Sequence, residues 1–199
     1  MSEESLSNLL SENRVFPPSN KFAGQANVKA SAYKEAEADR ITFWEKQASR
    51  LEWATPWHTP LIWEAPFAQW FVGGKINASY NCLDRHVING DGERIAFYFE
   101  GEPGDSEVIT YAHLLHEVKK CANALMALGI GAEDRVAIYM PMIPEAIVAM
   151  LACARIGAAH SVIFGGFSAD SLLARIQDAD AKLVITADGG FRKGGPFPL

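Results

Sequence analysis

Residues 135–186, RVAIYMPMIPEAIVAMLACARIGAAHSVIFGGFSADSLLARIQDADAKLVIT, decide the fold. Three short apolar runs in this stretch are typical of buried strands: RVAIYM (135–140), HSVIF (160–164) and KLVIT (182–186). A helical pattern separates each run from the next. The alternation predicts a βαβαβ unit, and such units form parallel sheets with right-handed crossovers.

Local signals mark the ends of both helices in this unit. Pro144 stands in the first turn of a helix that ends at Gly157, and Ser168 caps a second helix that runs to about Asp178. The helix over 144–156 is apolar nearly all round, so we expect protein to cover it on both sides. One face of a sheet would cover only one side of this helix. The N-terminal part of the chain or a further domain would supply the rest.

The strongest helix signal lies upstream of the βαβαβ unit. Thr110 is the predicted N-cap, Ile109 and Leu114 can form a hydrophobic staple, and Gly129 is the predicted C-cap. One apolar stripe joins Leu114, Leu115, Val118, Ala122, Leu125 and Leu128. Before this helix, two short strands are predicted over 94–100 and 108–109, and a short helix over 81–87.

The N-terminal third is predicted to contain a helix over 31–53 and then an irregular segment rich in aromatic residues. All five tryptophans of the chain lie within 44–70, interleaved with prolines that prevent a continuous helix. We favour a segment that packs on a core domain, because large rings bury much surface and no clustered basic residues accompany them. An aromatic platform for a ligand is the alternative.

These patterns divide the chain into three parts. Residues 1–30 are polar and predicted to be a mobile or loosely docked leader, 31–92 form the aromatic N-terminal segment, and 93–199 form an incomplete α/β domain. The sheet would stop after its third parallel strand with no natural edge. We therefore expect the 199 residues to be an N-terminal fragment of a longer fold.

Composition excludes several classes of protein. A chain of 199 residues that is 49% hydrophobic and 21% charged can bury a core and is not a disordered tail. A formal charge of −6 without clustered Lys and Arg argues against nucleic-acid binding. No apolar run is long enough to span a membrane, and three cysteines without CxxC spacing suggest neither disulfides nor zinc. A reduced, cytoplasmic setting is expected.

Two glycine-rich loops follow the predicted parallel strands. They are Phe164-Gly165-Gly166-Phe167 and the run from Gly189 to Gly195. Ligands of open α/β sheets bind beyond the carboxyl ends of the strands, where both loops would emerge. Glycines permit close approach of the backbone, rings offer a stacking face, and Arg192 with Lys193 supplies positive charge for phosphate. The pattern suggests a nucleotide-like ligand. Each glycine pair alone is more often a tight turn, and only the two together, with their rings and cations, make a ligand site as good an explanation.

Sharper catalytic motifs are absent from the sequence. It contains no GxxxxGK[ST] phosphate loop, no GxGxxG after a strand, no GxSxG elbow and no HExxH helix. His113, His116 and Glu117 are interpreted as a solvated helix face rather than as metal ligands. His160 is expected to be a structural residue of a buried strand, and Cys153 an inert core thiol. No catalytic residue and no metal ligand is therefore predicted.

The stretch AIYMPMIPEAIVAMLACARIGAAHSVIFGGFSADSLLARIQDADAKLVITADGG (137–190) closely resembles the acetyl-coenzyme A synthetases, the AMP-forming acetate:CoA ligases of the adenylate-forming superfamily. FWEKQASRLEWATPW (43–57) and INASYNCLDRHV (76–87) are similar to the N-terminal region of the same family. The resemblance covers about residues 33–199. It implies the N-terminal part of the large domain of an adenylate-forming enzyme.

The resemblance also implies substrates and site residues. ATP with Mg²⁺, CoA and acetate would be used, while the phosphate loop, acetate pocket and catalytic lysine of the family lie beyond Leu199, so the chain alone is expected to be inactive. The nucleotide end of CoA would be bound by Arg192, Lys193, Gly194, Gly195, Phe164, Gly165 and Gly166. Many relatives carry a basic residue at the position of Gly195, whereas here the extra charge lies on Lys193. No nucleic-acid or membrane partner is implied.

Two other functions remain open from the sequence. A ligase of another short acyl group, such as propionate, is possible because the residues that shape the acyl pocket are not in this chain. A non-catalytic binding module is the alternative from a different class of protein. The oligomeric state does not follow from the sequence.

Overall fold

The computed structural model describes residues 14–199, which fall into two compact units, one ending at Ser49 and one covering Arg50–Leu199. The predicted leader lies partly outside the described residues, since these begin at Arg14. From Arg14 to Ser49, the described part of the first unit contains three helices: α1 (Asn20–Gln25), α2 (Ser31–Ala38) and α3 (Arg40–Ala48).

The single helix predicted over 31–53 is wrong. Asp39 has an extended backbone, with φ of −150°, and separates α2 from α3. Its carboxylate accepts a hydrogen bond of 3.0 Å from the amide of Thr42 and so caps α3, which also lowers the pKa of Asp39. An aspartate in a helical pattern competes for backbone amides in this way, and here the cap prevails over continuation of the helix.

The aromatic segment contains a hairpin that the sequence did not predict. Strands β1 (Thr59–Glu64) and β2 (Phe67–Val72) pair antiparallel, with Leu61 opposite Trp70. The rings of Trp53, Trp57 and Phe71 meet edge to face, with centroids 4.9 to 5.5 Å apart. This aromatic cluster partly supports the prediction. The backbone is irregular over residues 49–58, as predicted, but regular in the hairpin.

The region that follows is helical, as predicted, but longer and of a different type. π-Helical turns cover Tyr80–Asp84 and Val87–Asp91, and Gly90 adopts φ of +93° at a kink in the second. Strands β3 (Ile95–Glu100) and β4 (Ser106–Thr110) then form an antiparallel hairpin. Both were predicted, and β4 is longer than the two residues expected.

Helix α4 (Tyr111–Ala127) begins at the predicted cap. The hydroxyl of Thr110 accepts a hydrogen bond of 3.2 Å from the amide of His113. Leu128 takes the cap position at the other end, and Gly129 follows it with φ of +82°, a conformation that glycine adopts without steric cost. The buried residues of α4 belong to the predicted apolar stripe: Leu114, Leu115, Val118, Ala122 and Leu125.

The predicted βαβαβ unit is confirmed. It consists of β5 (Arg135–Met140), α5 (Pro144–Ile156), β6 (Ala159–Phe164), α6 (Ala169–Asp178) and β7 (Leu183–Thr186). The three strands are parallel, and β5 lies between β6 and β7. The sheet therefore places the ends of β5, β6 and β7 at one edge.

Hydrophobic cores lie on both faces of this sheet. On one face, Val136 and Ile138 pack in the main cluster with residues of α4 and α5, and on the other Ala137, Tyr139 and Ile163 pack with Leu172 and Ile176. Every residue of α5 except Glu145 is buried or half-buried, in agreement with its apolar circumference. His160, in contrast, is exposed. It was expected in a buried strand, but within residues 14–199 strand β6 pairs only with β5 and is an edge strand.

The glycine-rich run after β7 is a hairpin rather than a loop. Strands β8 (Gly189–Arg192) and β9 (Gly195–Pro198) pair antiparallel, with Arg192 opposite Gly195. The two residues between them, Lys193 and Gly194, have φ of +54° and +80°. Positive φ at both positions of a two-residue loop is typical of a type I′ turn.

Candidate functional site

The candidate site lies where β6 ends and the β8–β9 hairpin begins its turn. Phe164 is the last residue of β6, and Arg192 is the last residue of β8. The guanidinium carbon of Arg192 lies 5.5 Å from the centroid of the Phe164 ring. This is within the range of a cation–π contact. The structure thus brings together the two glycine-rich segments that the sequence predicted at one edge.

Gly166 makes this contact possible. A Cβ atom at this position would lie 2.6 Å from Cε1 of Phe164 and 2.7 Å from Nη1 of Arg192. Real Cβ atoms do not approach other atoms so closely, so the end of the Arg192 or Phe164 side chain would have to shift. The absence of a side chain at Gly166 therefore allows a cation and a ring to meet over bare backbone.

Tyr139 forms hydrogen bonds with the first glycine-rich loop. Its hydroxyl lies 3.0 Å from the carbonyl of Phe167 and 3.3 Å from that of Gly165, and it donates to these oxygens. Gly165 also has little free space, since a Cβ there would lie 3.1 Å from Cδ2 of Leu199. Sequence reasoning missed Tyr139. Only one feature of the sequence pointed to it: Tyr139 lies in a strand predicted to be buried, where its hydroxyl needs a hydrogen-bond partner.

The remaining predicted residues form the turn of the second segment. Lys193 and Gly194 occupy the turn, and Gly195 begins β9. Arg192 and Lys193 are both exposed. A Cβ atom at Gly195 would meet nothing within 4 Å, so a side chain could begin there without a clash.

A second cation and ring lie beside the first pair. The guanidinium carbon of Arg175 is 4.4 Å from the centroid of Phe167, and the Phe164 and Phe167 rings meet edge to face at 6.0 Å. Two arginines and two rings therefore line one edge of the sheet. Positive charge next to exposed rings can bind an anion that carries a flat ring system.

A separate cavity of about 500 Å³ lies beside Trp53. Its other lining residues are Glu52, Ala54, Asn77, Tyr80 and Arg155. Polar groups of these residues form hydrogen bonds with one another and with the backbone. A hydrogen bond with Glu52 raises the pKa of Tyr80, and the Asn77 amide donates to the carbonyl of Arg155 at 3.0 Å. These contacts favour a structural role over the ligand platform left open above.

Comparison of the sequence with models of known protein families gives two matches. The sequence model of AMP-binding enzymes matches residues 84–195, which include Phe164, Gly166 and Arg192. The chain belongs to the AMP-binding enzyme family. A second model, the acetyl-coenzyme A synthetase N-terminus, matches residues 30–82. The AMP-binding match extends over more than half of the chain and includes all three strands of the parallel sheet.

Individual members of the family are highly similar to the chain. It is 64% identical to the acetyl-coenzyme A synthetase of Streptomyces avermitilis, over all of the chain and 31% of that protein. The acetyl-coenzyme A synthetase of Mycobacterium bovis is 61% identical over 92% of the chain and 29% of its own length. That of Rubrobacter xylanophilus is 53% identical over 94% of the chain and 29% of its own length. The chain spans about a third of the length of these relatives.

Other residues singled out in the sequence lie away from the candidate site. His113 and His116 are exposed on α4, as expected, and the Nε2 atoms lie 3.9 Å from Glu107 and 3.8 Å from Glu117. Cys153 is fully buried, and burial raises its pKa to about 11, as expected of a core thiol. Among residues 14–199, no cluster of His, Cys, Asp or Glu could hold a metal ion, and no helix has the length and apolarity to cross a membrane.

Proposed function

We propose that this chain forms the N-terminal part of an AMP-forming acetate:CoA ligase. In that reaction, acetate attacks the α-phosphate of ATP and releases pyrophosphate, and the thiol of CoA then displaces AMP from acetyl-AMP. The support comes from 53 to 64% identity to three acetyl-coenzyme A synthetases along most or all of the chain. The match to the N-terminal model of that enzyme adds a segment outside the AMP-binding region.

Within this reaction, the candidate site is proposed to bind the nucleotide end of CoA. The observation that carries this role is the contact between Arg192 and Phe164 over Gly166. Arg192 and Lys193 present positive charge to CoA phosphates, and a guanidinium can also stack on adenine, which is worth about 0.5–2 kcal/mol. Gly194 and Gly195 have open space beside their Cα atoms, whereas Gly165 packs against Leu199 and shapes the loop. These residues bind and orient CoA, and none of them takes part in bond making.

ATP and Mg²⁺ have no proposed ligands in this chain. The family resemblance assigns both sites to residues after Leu199, and the described residues hold no metal-ligating cluster. When acetate attacks the α-phosphate and transfers the AMP group to itself, a cation neutralises charge that develops on the phosphorus oxygens. The contribution proposed for this chain is limited to CoA and to the sheet edge that carries its pocket. A cytoplasmic location is part of the same proposal.

A chimaeric enzyme tests the proposed function. This chain replaces the aligned 200 residues of the Streptomyces avermitilis acetyl-coenzyme A synthetase, with which it is 64% identical. We expect acetyl-CoA and AMP to form from acetate, ATP and CoA, at a rate within about tenfold of the intact relative. The intact relative is the control. A chimaera that folds cooperatively but forms no acetyl-CoA would overturn the proposal.

A further inference from the structure

Glu102 lies on a tight turn that faces the candidate site from another element. The turn joins β3 to β4, and hydrogen bonds of 2.8 and 2.9 Å close it from the amide of Gly101 to Asp105 and from the amide of Gly104 to Gly101. Pro103 follows Glu102 and restricts its backbone to extended conformations. The carboxylate of Glu102 therefore projects from a well-constrained support.

This carboxylate contacts the turn of the β8–β9 hairpin. The amide of Gly194 donates a hydrogen bond of 2.7 Å to Oε1 of Glu102, across 92 residues of sequence. An amide that donates to a charged oxygen forms a shorter and stronger bond than one that donates to a neutral oxygen. The contact holds the backbone of the turn and leaves the side chains of Arg192 and Lys193 exposed.

The turn has a specific need for such a contact. Lys193 has φ of +54°, a conformation that is uncommon for residues other than glycine. Strained backbone of this kind persists where surrounding structure fixes it. Without a restraint on the adjacent amide, the turn can relax, and the backbone that carries Arg192 and Lys193 would then lose its fixed position.

We infer that Glu102 is a positioning residue for CoA, which fixes the Lys193–Gly194 turn so that Arg192 and Lys193 face the ligand in a preorganised arrangement. The inference rests on the proposed function, in which these two cations bind CoA phosphates. Ordering a flexible side chain at a binding site costs free energy, and a pre-ordered turn avoids that cost. The negative charge of Glu102 is engaged by the backbone rather than offered to the ligand.

The order of the turn is measured first, in this chain, by NMR. Glu102→Ala should lower the heteronuclear NOE of Lys193 and Gly194 and speed solvent exchange of the Gly194 amide by about tenfold or more. Glu102→Gln keeps an acceptor oxygen and should remain close to the parent. Glu100→Ala removes an exposed carboxylate from β3 of the same hairpin and is the matched control. Unchanged turn dynamics in Glu102→Ala would overturn the inference.

The chimaera then measures the consequence for CoA. We expect Glu102→Ala to raise KM for CoA by about five- to tenfold, with kcat and acetate-dependent ATP–pyrophosphate exchange unchanged. Glu102→Gln should restore KM to the parent value or below it, since the acceptor is kept and a negative charge near the phosphates is removed.

The other outcomes are each decisive. A lower KM for CoA in Glu102→Ala would mean that the carboxylate competes with the CoA phosphates. Loss of ATP–pyrophosphate exchange that Glu102→Gln does not restore would mean a general structural role. Either result overturns the inference. An inactive parent chimaera overturns the proposed function instead. The NMR comparison in this chain then decides whether Glu102 positions the turn.

Discussion

At the scale of single residues, the CoA-binding role proposed for Arg192 predicts that its loss affects only one of the two half-reactions of the proposed ligase. CoA takes part only in the second, so Arg192→Ala in the chimaera should raise KM for CoA by about tenfold or more and leave acetate-dependent ATP–pyrophosphate exchange nearly intact. Arg192→Lys keeps the charge but loses the planar group over the ring, and should recover part of the loss. Steady-state kinetics and exchange assays make both comparisons. Equal losses in both half-reactions would show that Arg192 acts structurally.

Asp134 gives a prediction on acid stability. A hydrogen bond from Lys182 and one from the Gly131 amide lower the pKa of Asp134 below its ordinary value of 3.8. A carboxyl whose pKa is lower in the folded state stabilises the fold above its unfolded-state pKa, and this contribution disappears as the pH falls through the folded-state value. The stability difference between the parent and Asp134→Asn should therefore be largest near neutral pH and shrink below pH 3.8.

Urea unfolding at a series of pH values measures this difference. Glu100→Gln, which removes an exposed carboxyl on β3, is the control. A constant difference for Asp134→Asn across the acid range would show that its ion pair with Lys182, at 2.8 Å, has no net effect on stability.

At the scale of elements, one ion pair joins the π-helical segment to α5. The guanidinium of Arg155 donates to both carboxylate oxygens of Asp84, at 2.6 and 2.9 Å, and this hydrogen bonding raises the pKa of Arg155. The Asp84 side chain is only 11% exposed. Removal of the arginine would leave a buried carboxylate without its partner, which is costlier than removal of both charges.

We therefore expect Arg155→Met to lower the free energy of unfolding by about 2–4 kcal/mol. The double variant Asp84→Leu/Arg155→Met should recover most of that loss. Lys120→Met breaks the exposed pair with Glu117 on α4 and should have a much smaller effect. Urea unfolding followed by circular dichroism gives the three values. Similar losses in Arg155→Met and Lys120→Met would show that burial of the pair is energetically unimportant.

Elements were predictable from the sequence where their signals are local. The N-caps of α4 and α6 act within three residues, through Thr110 on His113 and Ser168 on Ser171, and both were predicted. The hairpin of β8 and β9 was not. Its strands GGFR and GPFP are rich in glycine and proline, which weaken or interrupt ladders, and only their pairing with each other makes them strands.

At the scale of the whole molecule, the packed clusters lie in the unit that begins at Arg50. The main cluster runs from Leu83 to Ile185, and the second includes Tyr139 and Leu199. A variant that consists of 50–199 should therefore keep a cooperative urea transition, because it retains both clusters. For comparison, Ile138→Ala in the same variant removes a fully buried side chain and should cost about 2–5 kcal/mol. Loss of the cooperative transition on deletion alone would contradict this expectation.

The candidate site was predictable in part. Glycine pairs after parallel strands, with rings and cations beside them, pointed to the edge where Phe164 and Arg192 meet. Glu102 and Tyr139 were not predictable, because each acts on a segment that is distant in sequence. Their partners, Gly194 for Glu102 and Gly165 for Tyr139, are 92 and 26 residues away. No periodicity or spacing links such positions.

The sequence by itself determined the parallel βαβαβ unit, the ends of its helices and the edge of the sheet at which the two glycine-rich segments lie. These features follow from hydrophobic periodicity and from caps that act within one turn of a helix, so a local reading is sufficient. Only the tertiary structure decided that a glutamate on one hairpin accepts a hydrogen bond from a turn on another, and that Arg192 and Phe164 meet beside Gly166. The physical reason is that hydrogen bonds and close packing depend on distances of a few ångströms between residues that folding alone brings together.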